Sequence, residues 1–166
     1  MPARYDAVVI GAGPAGSVAA LMLARAGARV ALVDRAPTGR DKACGDLIGP
    51  RGVRLLDQIG LPTAGGVRMG DMVVVGPSGR RVVLPARAGR TYPGYAVAVP
   101  RARFDAACRA AALDAGAVDI AVRVTDVRQG DVTLASGEHL VCDAVIGADG
   151  ANSATARSAG LAALLV

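Results

Sequence analysis

Three glycines and one acid are the first residues in this chain whose types and spacing could do chemistry. Gly11, Gly13 and Gly16 fall as Gly-x-Gly-x-x-Gly in "GAGPAG", and Asp34 closes a second apolar run further on. Gly11 permits a tight turn, Gly13 removes a side chain so that a pyrophosphate can approach the backbone, and Gly16 lets a helix pack closely on a strand. A helix N-terminus behind such a turn presents unpaired N–H groups and its positive dipole end to the phosphates. The Asp34 carboxylate can accept hydrogen bonds from a ribose 2′-hydroxyl, and an acid there disfavours a 2′-phosphate. Ala12 and Ala15 within the same loop, and Arg35 just after the acid, complete this group of candidate cofactor-binding positions. The alternative is a glycine-rich turn with no ligand.

The elements that must position these residues are legible around them. Residues 5–10, "YDAVVI", are β-branched and almost wholly apolar, as expected of a central parallel strand covered on both faces. Residues 17–26, rich in Ala and Leu, have the composition of a helix that Gly27 stops. Residues 29–33 form a second strand with Asp34 at its end. A strand, a glycine turn, a helix, a strand and an acid within about thirty residues lift the glycine pattern above coincidence.

The bulk properties narrow the class. The chain has 166 residues, 52% of them hydrophobic and 20% charged, with a mean hydropathy of +0.40, enough for one core and unlike a disordered segment. Nucleic acid is not expected as a partner despite a net charge of +5, because aromatics are 2% of the chain and its basic residues are scattered rather than clustered. Cys44, Cys108 and Cys142 cannot all pair and follow no close metal-ligand spacing, so a reducing compartment and no metal site are expected. The N-terminus lacks a secretory h-region, and no apolar run approaches membrane-spanning length. The expected localisation is therefore cytoplasmic, with peripheral contact at the inner face of the membrane as an option for a lipid-like substrate.

After Asp34 the pattern departs from a simple nicotinamide-binding domain, where further strand and helix units would follow at once. Roughly 80 residues separate Asp34 from the next parallel strand, expected at 118–122. They contain "MVVV" at 72–75 and "RVVL" at 81–84, joined through a turn at 77–79, and a third strand at 95–99. A β-rich segment at 67–100, inserted into a dinucleotide fold as a substrate-facing layer, makes FAD a better expectation than NAD. A helix is expected at 102–115, with Phe104, Cys108 and Ala111 at core spacing, and a further parallel strand at 144–148 leads to Asp149. His139, the only histidine, falls after "SGE" in a hairpin turn and is expected to be exposed.

Four blocks, "YDAVVIGAGPAGSVAALMLARAGARVALVDRA", "RDKACGDLIGPRGVRLLDQIGL", "VPRARFDAACRAAALDAGA" and "AVIGADGANSATARSAGL", resemble in order and spacing the FAD-dependent geranylgeranyl reductase family. That family belongs to the p-hydroxybenzoate hydroxylase-like flavoproteins, and the "KACGD" block at 42–46 narrows the likeness to the reductase branch. The fold it implies is α/β: a Rossmann-type FAD-binding parallel sheet with an inserted β-rich hairpin segment, incomplete relative to the family. The resemblance implies that Gly11, Gly13 and Gly16 hold the FAD pyrophosphate and that Asp34 holds the adenosine ribose. It further implies that backbone around Cys44, Gly45 and Leu47 borders the flavin, that Arg101 contacts the cofactor, that Val124 lies beside the adenine, and that Asp149 and Gly150 sit near FAD and the incoming NADPH. By composition alone Cys44 could be a small packing residue, Arg101 the first residue of a helix, and Asn152 and Ser153 turn or cap residues.

The implied activity is reduction of FAD by NADPH followed by hydride delivery from the flavin to an isolated C=C bond of a prenyl chain. A flavin hydroxylase or halogenase shares the first and last motifs, and a non-catalytic FAD-binding remnant is the reading from another class. The sequence departs from the family at Leu47, where many relatives carry glycine, and in length, since relatives continue well past the counterpart of Leu161. The chain is therefore expected to be a truncated product, a gene fragment or one piece of a longer polypeptide. On that expectation one helical layer stays incomplete and the strands near 72–99 lack sheet partners.

Overall fold

The structure is a computed structural model and describes residues 3–37, 44, 46–61, 63, 65–90, 92–151 and 153–160. It divides into two compact units, residues 1–40 with 105–166, and residues 41–104. In chain order the elements are β1 (Ala3–Ile10), α1 (Pro14–Arg25), β2 (Val30–Val33), β3 (Leu47–Ile48), α2 (Pro50–Gln58), β4 (Val67–Met69), β5 (Met72–Val75), β6 (Arg81–Leu84) and β7 (Ala96–Ala98), then α3 (Arg101–Asp114), β8 (Val118–Ile120), β9 (Val124–Arg128), β10 (Asp131–Leu134), β11 (His139–Gly147) and α4 (Ala154–Ser158).

The first unit is built on a six-stranded sheet in the order β8-β2-β1-β11-β10-β9. β1 lies between β2 and β11 and pairs with both in parallel, so the run at 5–10 is the central strand that its composition predicts. β8 extends the parallel part beyond β2, but it closes at Ile120, two residues before the predicted end. α1 starts at Pro14 rather than at residue 17, because proline's fixed φ and missing N–H suit the first turn of a helix. It packs against β1 and β2, burying Ala20 and Leu21 completely.

The other half of the sheet is the antiparallel meander β9-β10-β11, of which sequence reasoning recovers the hairpin turn before His139 and the end of β11 but not β9 and β10. Five strand spacings of about 4.8 Å would set the edges of a flat sheet roughly 24 Å apart. Residues 121–123, however, join edge strand β8 directly to edge strand β9, and four Cα steps span at most about 14 Å. The sheet must therefore curl. The core shows the result: Val8, Ile10, Ala31 and Val33 of the parallel strands cluster with Val132, Leu134, Leu140 and Cys142 of the meander. Val9 and Leu32, one residue along on each strand and therefore on the opposite face, are also fully buried. A β-meander thus covers the face that was expected to lack part of its helical layer.

In the second unit β7 pairs antiparallel with both β3 and β4, so the strand expected at 95–99 does have sheet partners. It belongs to a different sheet from the hairpin β5–β6, which stands as a two-stranded ribbon. Seven apolar residues of that ribbon, Met72 to Val75 and Val82 to Leu84, are exposed. α2, absent from the sequence reading, buries Val53 and Leu56, three residues apart on one helical face. Along α3, which begins in this unit and continues into the first, Phe104, Cys108 and Ala112 are buried, whereas Ala111 is only half-buried, so the buried positions follow a four-residue step past Cys108.

Leu134 tests the curled sheet, since an ordinary surface hairpin would leave it in solvent. Leu134→Ala is expected to cost about 2–4 kcal/mol of unfolding free energy in urea titrations. A loss below about 0.5 kcal/mol, the range of surface substitutions, would remove the meander from the core.

Candidate functional site

The C-terminal ends of the parallel strands are tied together by backbone hydrogen bonds. Gly11 N donates to the Val33 carbonyl at 2.7 Å, Ala148 N to Ile10 at 2.7 Å, and Asp34 N to Ile120 at 3.1 Å. In open α/β sheets ligands bind in the crevice beyond these strand ends. Gly11, Ala12, Gly13, Ala15, Gly16, Asp34, Arg35 and Asp149 all lie on the loops and the helix start that follow them.

The three glycines differ in what surrounds them. Gly11 has φ +105°, and a Cβ there would collide with the Ala148 carbonyl, so both conformation and space require glycine. A Cβ on Gly16 would run into the Gly11 carbonyl and crowd the Ala148 side chain at 3.1 Å. Gly13 is the opposite case: nothing lies within 4 Å of where its Cβ would be. The protein leaves that approach open at the N-cap of α1, where no side chain caps the helix. The amides of Ala15 and Gly16 in the first turn are the donors that a phosphate group would meet there. This cradle fits a pyrophosphate.

Asp34 is held rather than free to swing. Its Oδ2 accepts from Ala12 N at 2.8 Å, and its Oδ1 from Ala36 N at 2.8 Å. Each carboxylate oxygen can accept a further hydrogen bond, so the group remains competent to take a ribose hydroxyl. The bond to Ala12 joins the acid at the end of β2 to the glycine loop at the end of β1. Arg35 is exposed beside it. Val124 opens β9 opposite Leu134, and its half-buried side chain packs on the core cluster.

Asp149 follows β11 and turns towards α4. Its carboxylate accepts from Ser153 Oγ at 2.5 Å, Ala154 N at 2.7 Å, Thr155 N at 3.1 Å and Thr155 Oγ1 at 3.2 Å. Ser153 is itself the N-cap, accepting from Ala156 N at 2.8 Å, which is the cap reading of that residue. Asn152 lies outside the described residues. Asp149 also abuts the glycine turn, its Cα 2.9 Å from where a Gly11 Cβ would sit.

In the second unit Cys44, Asp46, Leu47 and Arg101 form another group, while Lys42 and Gly45 lie outside the described residues. Asp46 adopts φ +51°, its carbonyl accepts from Val99 N at 2.8 Å, and its Oδ1 accepts from Arg101 N at 3.1 Å. The acid thereby caps α3 from far away in sequence, and Arg101 is the first residue of that helix. A hydrogen bond from the Arg101 side chain, and a second from the Asp46 backbone, hold the exposed Cys44 thiol below the ordinary thiol range. Leu47 is exposed at the start of β3. His139 is exposed as expected, opening β11 with Nδ1 3.0 Å from Asp131.

Sequence reasoning read Asp46 only as part of the "KACGD" block, without its capping role, and missed Arg109 and Asp119. The available signals were Asp119 interrupting the apolar run "AVDIAV" and Arg109 one position beyond the core residue Cys108. Charges so placed need partners when the strand and helix pack.

A family model described as FAD binding domain matches residues 4–164. The chain belongs to that FAD-binding family. It is 39% identical to a menaquinone reductase of Mycolicibacterium smegmatis, covering 96% of this chain and 41% of the relative. It is 38% identical to a geranylgeranyl diphosphate reductase of Rhodobacter capsulatus, covering 90% and 38%. Among solved structures, a geranylgeranyl bacteriochlorophyll reductase-like protein of Thermoplasma acidophilum superposes with a TM-score of 0.76 at 26% identity, over all of this chain and 44% of that one. The OxyS anhydrotetracycline hydroxylase of Streptomyces rimosus also superposes at 0.76, with 29% identity over 95% and 34%. The chain thus spans about two-fifths of the length of the curated relatives it matches. No helix among the described residues is long and apolar enough to cross a membrane.

Burial pushes the Asp149 carboxyl up, but the Ser153 hydroxyl and the Thr155 and Ala154 amides more than offset it and hold the group below the ordinary value of 3.8. The folded value lies below the unfolded one, so these bonds stabilise fully above the ordinary value. That contribution is lost as the pH falls through the folded value. Asp149→Ala is expected to cost about 1–2 kcal/mol at pH 7, with the stability gap to wild type closing in denaturation series taken below pH 3.8. A gap that persists unchanged in acid would exclude the carboxylate as its source.

Proposed function

We propose that this chain is the dinucleotide-binding part of an FAD-dependent reductase that saturates C=C bonds of prenyl chains with NADPH as reductant. The observation that carries the FAD site is the open approach at Gly13, set at the N-cap of α1 between two glycines that the fold itself requires. On this reading the Ala15 and Gly16 amides bind the pyrophosphate, and Asp34 takes the adenosine ribose with Ala12 and Arg35 beside it. Val124 flanks the adenine, and Asp149, held rigid by α4, borders the pyrophosphate. Cys44, Gly45, Leu47 and Arg101 are assigned to the flavin end by resemblance to the reductase branch. FAD, when bound, supplies the redox chemistry, and the protein supplies binding, orientation and exclusion of water. No side chain is assigned as an acid or base.

The prenyl substrate is supported by the names of two relatives at 38–39% identity, a menaquinone reductase and a geranylgeranyl diphosphate reductase. Such a substrate is lipid-like, which makes peripheral contact with the inner face of a membrane part of the same proposal. The β-rich stretch at 67–100 is the segment assigned to the substrate side.

The purified chain is expected to carry FAD near one per chain, identified by absorption and by release on denaturation. Gly13→Ala, whose φ of −72° any residue adopts, should leave the melting temperature unchanged and weaken FAD binding by about tenfold or more, the loss expected when hydrogen bonds to a charged group are blocked. Gly13→Ala with wild-type affinity would contradict the site. Prenyl product two hydrogens heavier, formed anaerobically with NADPH, supports the reductase, whereas turnover that requires oxygen and adds a hydroxyl would assign an oxygenase instead.

A further inference from the structure

We propose that Arg109 is a positioning residue for adenosine recognition, holding from α3 the turn that presents Asp34 to the ribose. The inference rests on reading the glycine turn as a dinucleotide site. Arg109 is 5% exposed, an unusual location for a guanidinium. Its Nε and Nη2 donate to Asp119 Oδ1 at 3.1 and 2.7 Å, and its Nη1 donates to the Ala36 carbonyl at 3.1 Å. Ala36 N in turn donates to Asp34 Oδ1 at 2.8 Å. Ala36 is therefore fixed at both its polar groups, by the arginine on one side and by the ribose-binding acid on the other.

The chemistry of the fork explains why arginine stands here. A planar guanidinium can serve Asp119 on β8 and a carbonyl beyond β2 at the same time, whereas a lysine ammonium on a flexible stem cannot reproduce that geometry. Burying the charge is costly unless its bonds are made, so the pair locks the turn into the one arrangement that satisfies it. The same turn holds Oδ1 of Asp34, whose carboxylate keeps lone pairs available for a ribose hydroxyl. A shift of the Ala36 amide would let the carboxylate rotate away from its bond with Ala12.

A merely structural link between α3 and β8 predicts something different from positioning, and paired ligands separate the two. Affinities of the purified chain for ADP and for 2′-deoxy-ADP are measured by isothermal titration. Wild type is expected to prefer ADP by roughly tenfold, the value of one hydrogen bond to a charged acceptor. In Arg109→Met and Arg109→Lys the preference should fall below about threefold, with circular dichroism unchanged; Arg109→Lys keeps a cation opposite Asp119 and decides the matter where the Met variant does not fold. Either folded variant retaining the wild-type ratio, even with both affinities lowered in parallel, would overturn the positioning role. A wild type that binds both ligands equally would overturn it too while leaving the nucleotide site standing. A wild type that binds neither would overturn the dinucleotide reading and this inference with it.

Discussion

The hydrogen bond from Ala12 N to the Asp34 carboxylate is the contact on which the first unit's arrangement turns. It requires the ends of β1 and β2 to lie side by side, and it requires a loop after β1 tight enough to bring Ala12 back over β2. Only Gly11, at φ +105° and pressed on the Ala148 carbonyl, makes that loop. Gly16 then lets α1 start directly against it. What remains is a helix N-terminus without a side-chain cap, with open space at Gly13 and an acid bonded to the same loop, the arrangement on which the proposed pyrophosphate and ribose contacts rest.

Much of this was legible in the residues. Glycine spacing and apolar runs report short-range requirements, so the strand at 5–10, the helix behind the turn, the strand before Asp34 and the hairpin at 72–84 all follow from local chemistry. The meander did not follow. Its strands β9 and β10 alternate Val127, Val132 and Leu134 with charged and polar residues, a pattern that fits an exposed hairpin equally well. Val132 and Leu134 are buried because the three-residue link from β8 curls the sheet, a constraint visible only once the sheet order is known. Arg109 and Asp119 were missed for a similar reason, since each is an ordinary surface charge until α3 is laid beside β8.

The second unit shows the same division between local and long-range information. Asp46 reads in sequence as part of a short motif with Cys44, and the structure adds that it caps α3 and adopts a left-handed backbone. One acid therefore ties the segment carrying Cys44 to the helix that starts with Arg101. The ribbon β5–β6 is apolar on both of its faces, as strands covered on two sides are, yet its valines are exposed. Such a ribbon is a surface prone to association in this chain taken by itself.

On the proposed function the turn at 11–16 receives the phosphates of a dinucleotide, and backbone amide NMR reads that turn directly. On titration of the isotope-labelled chain with ADP, the amides of Gly13, Ala15 and Gly16 are predicted to shift together and to saturate with a single affinity, with Ala12 and Ala36 following as Asp34 engages the ribose. Binding that leaves those amides in place and shifts residues elsewhere, or no binding at all, would contradict it.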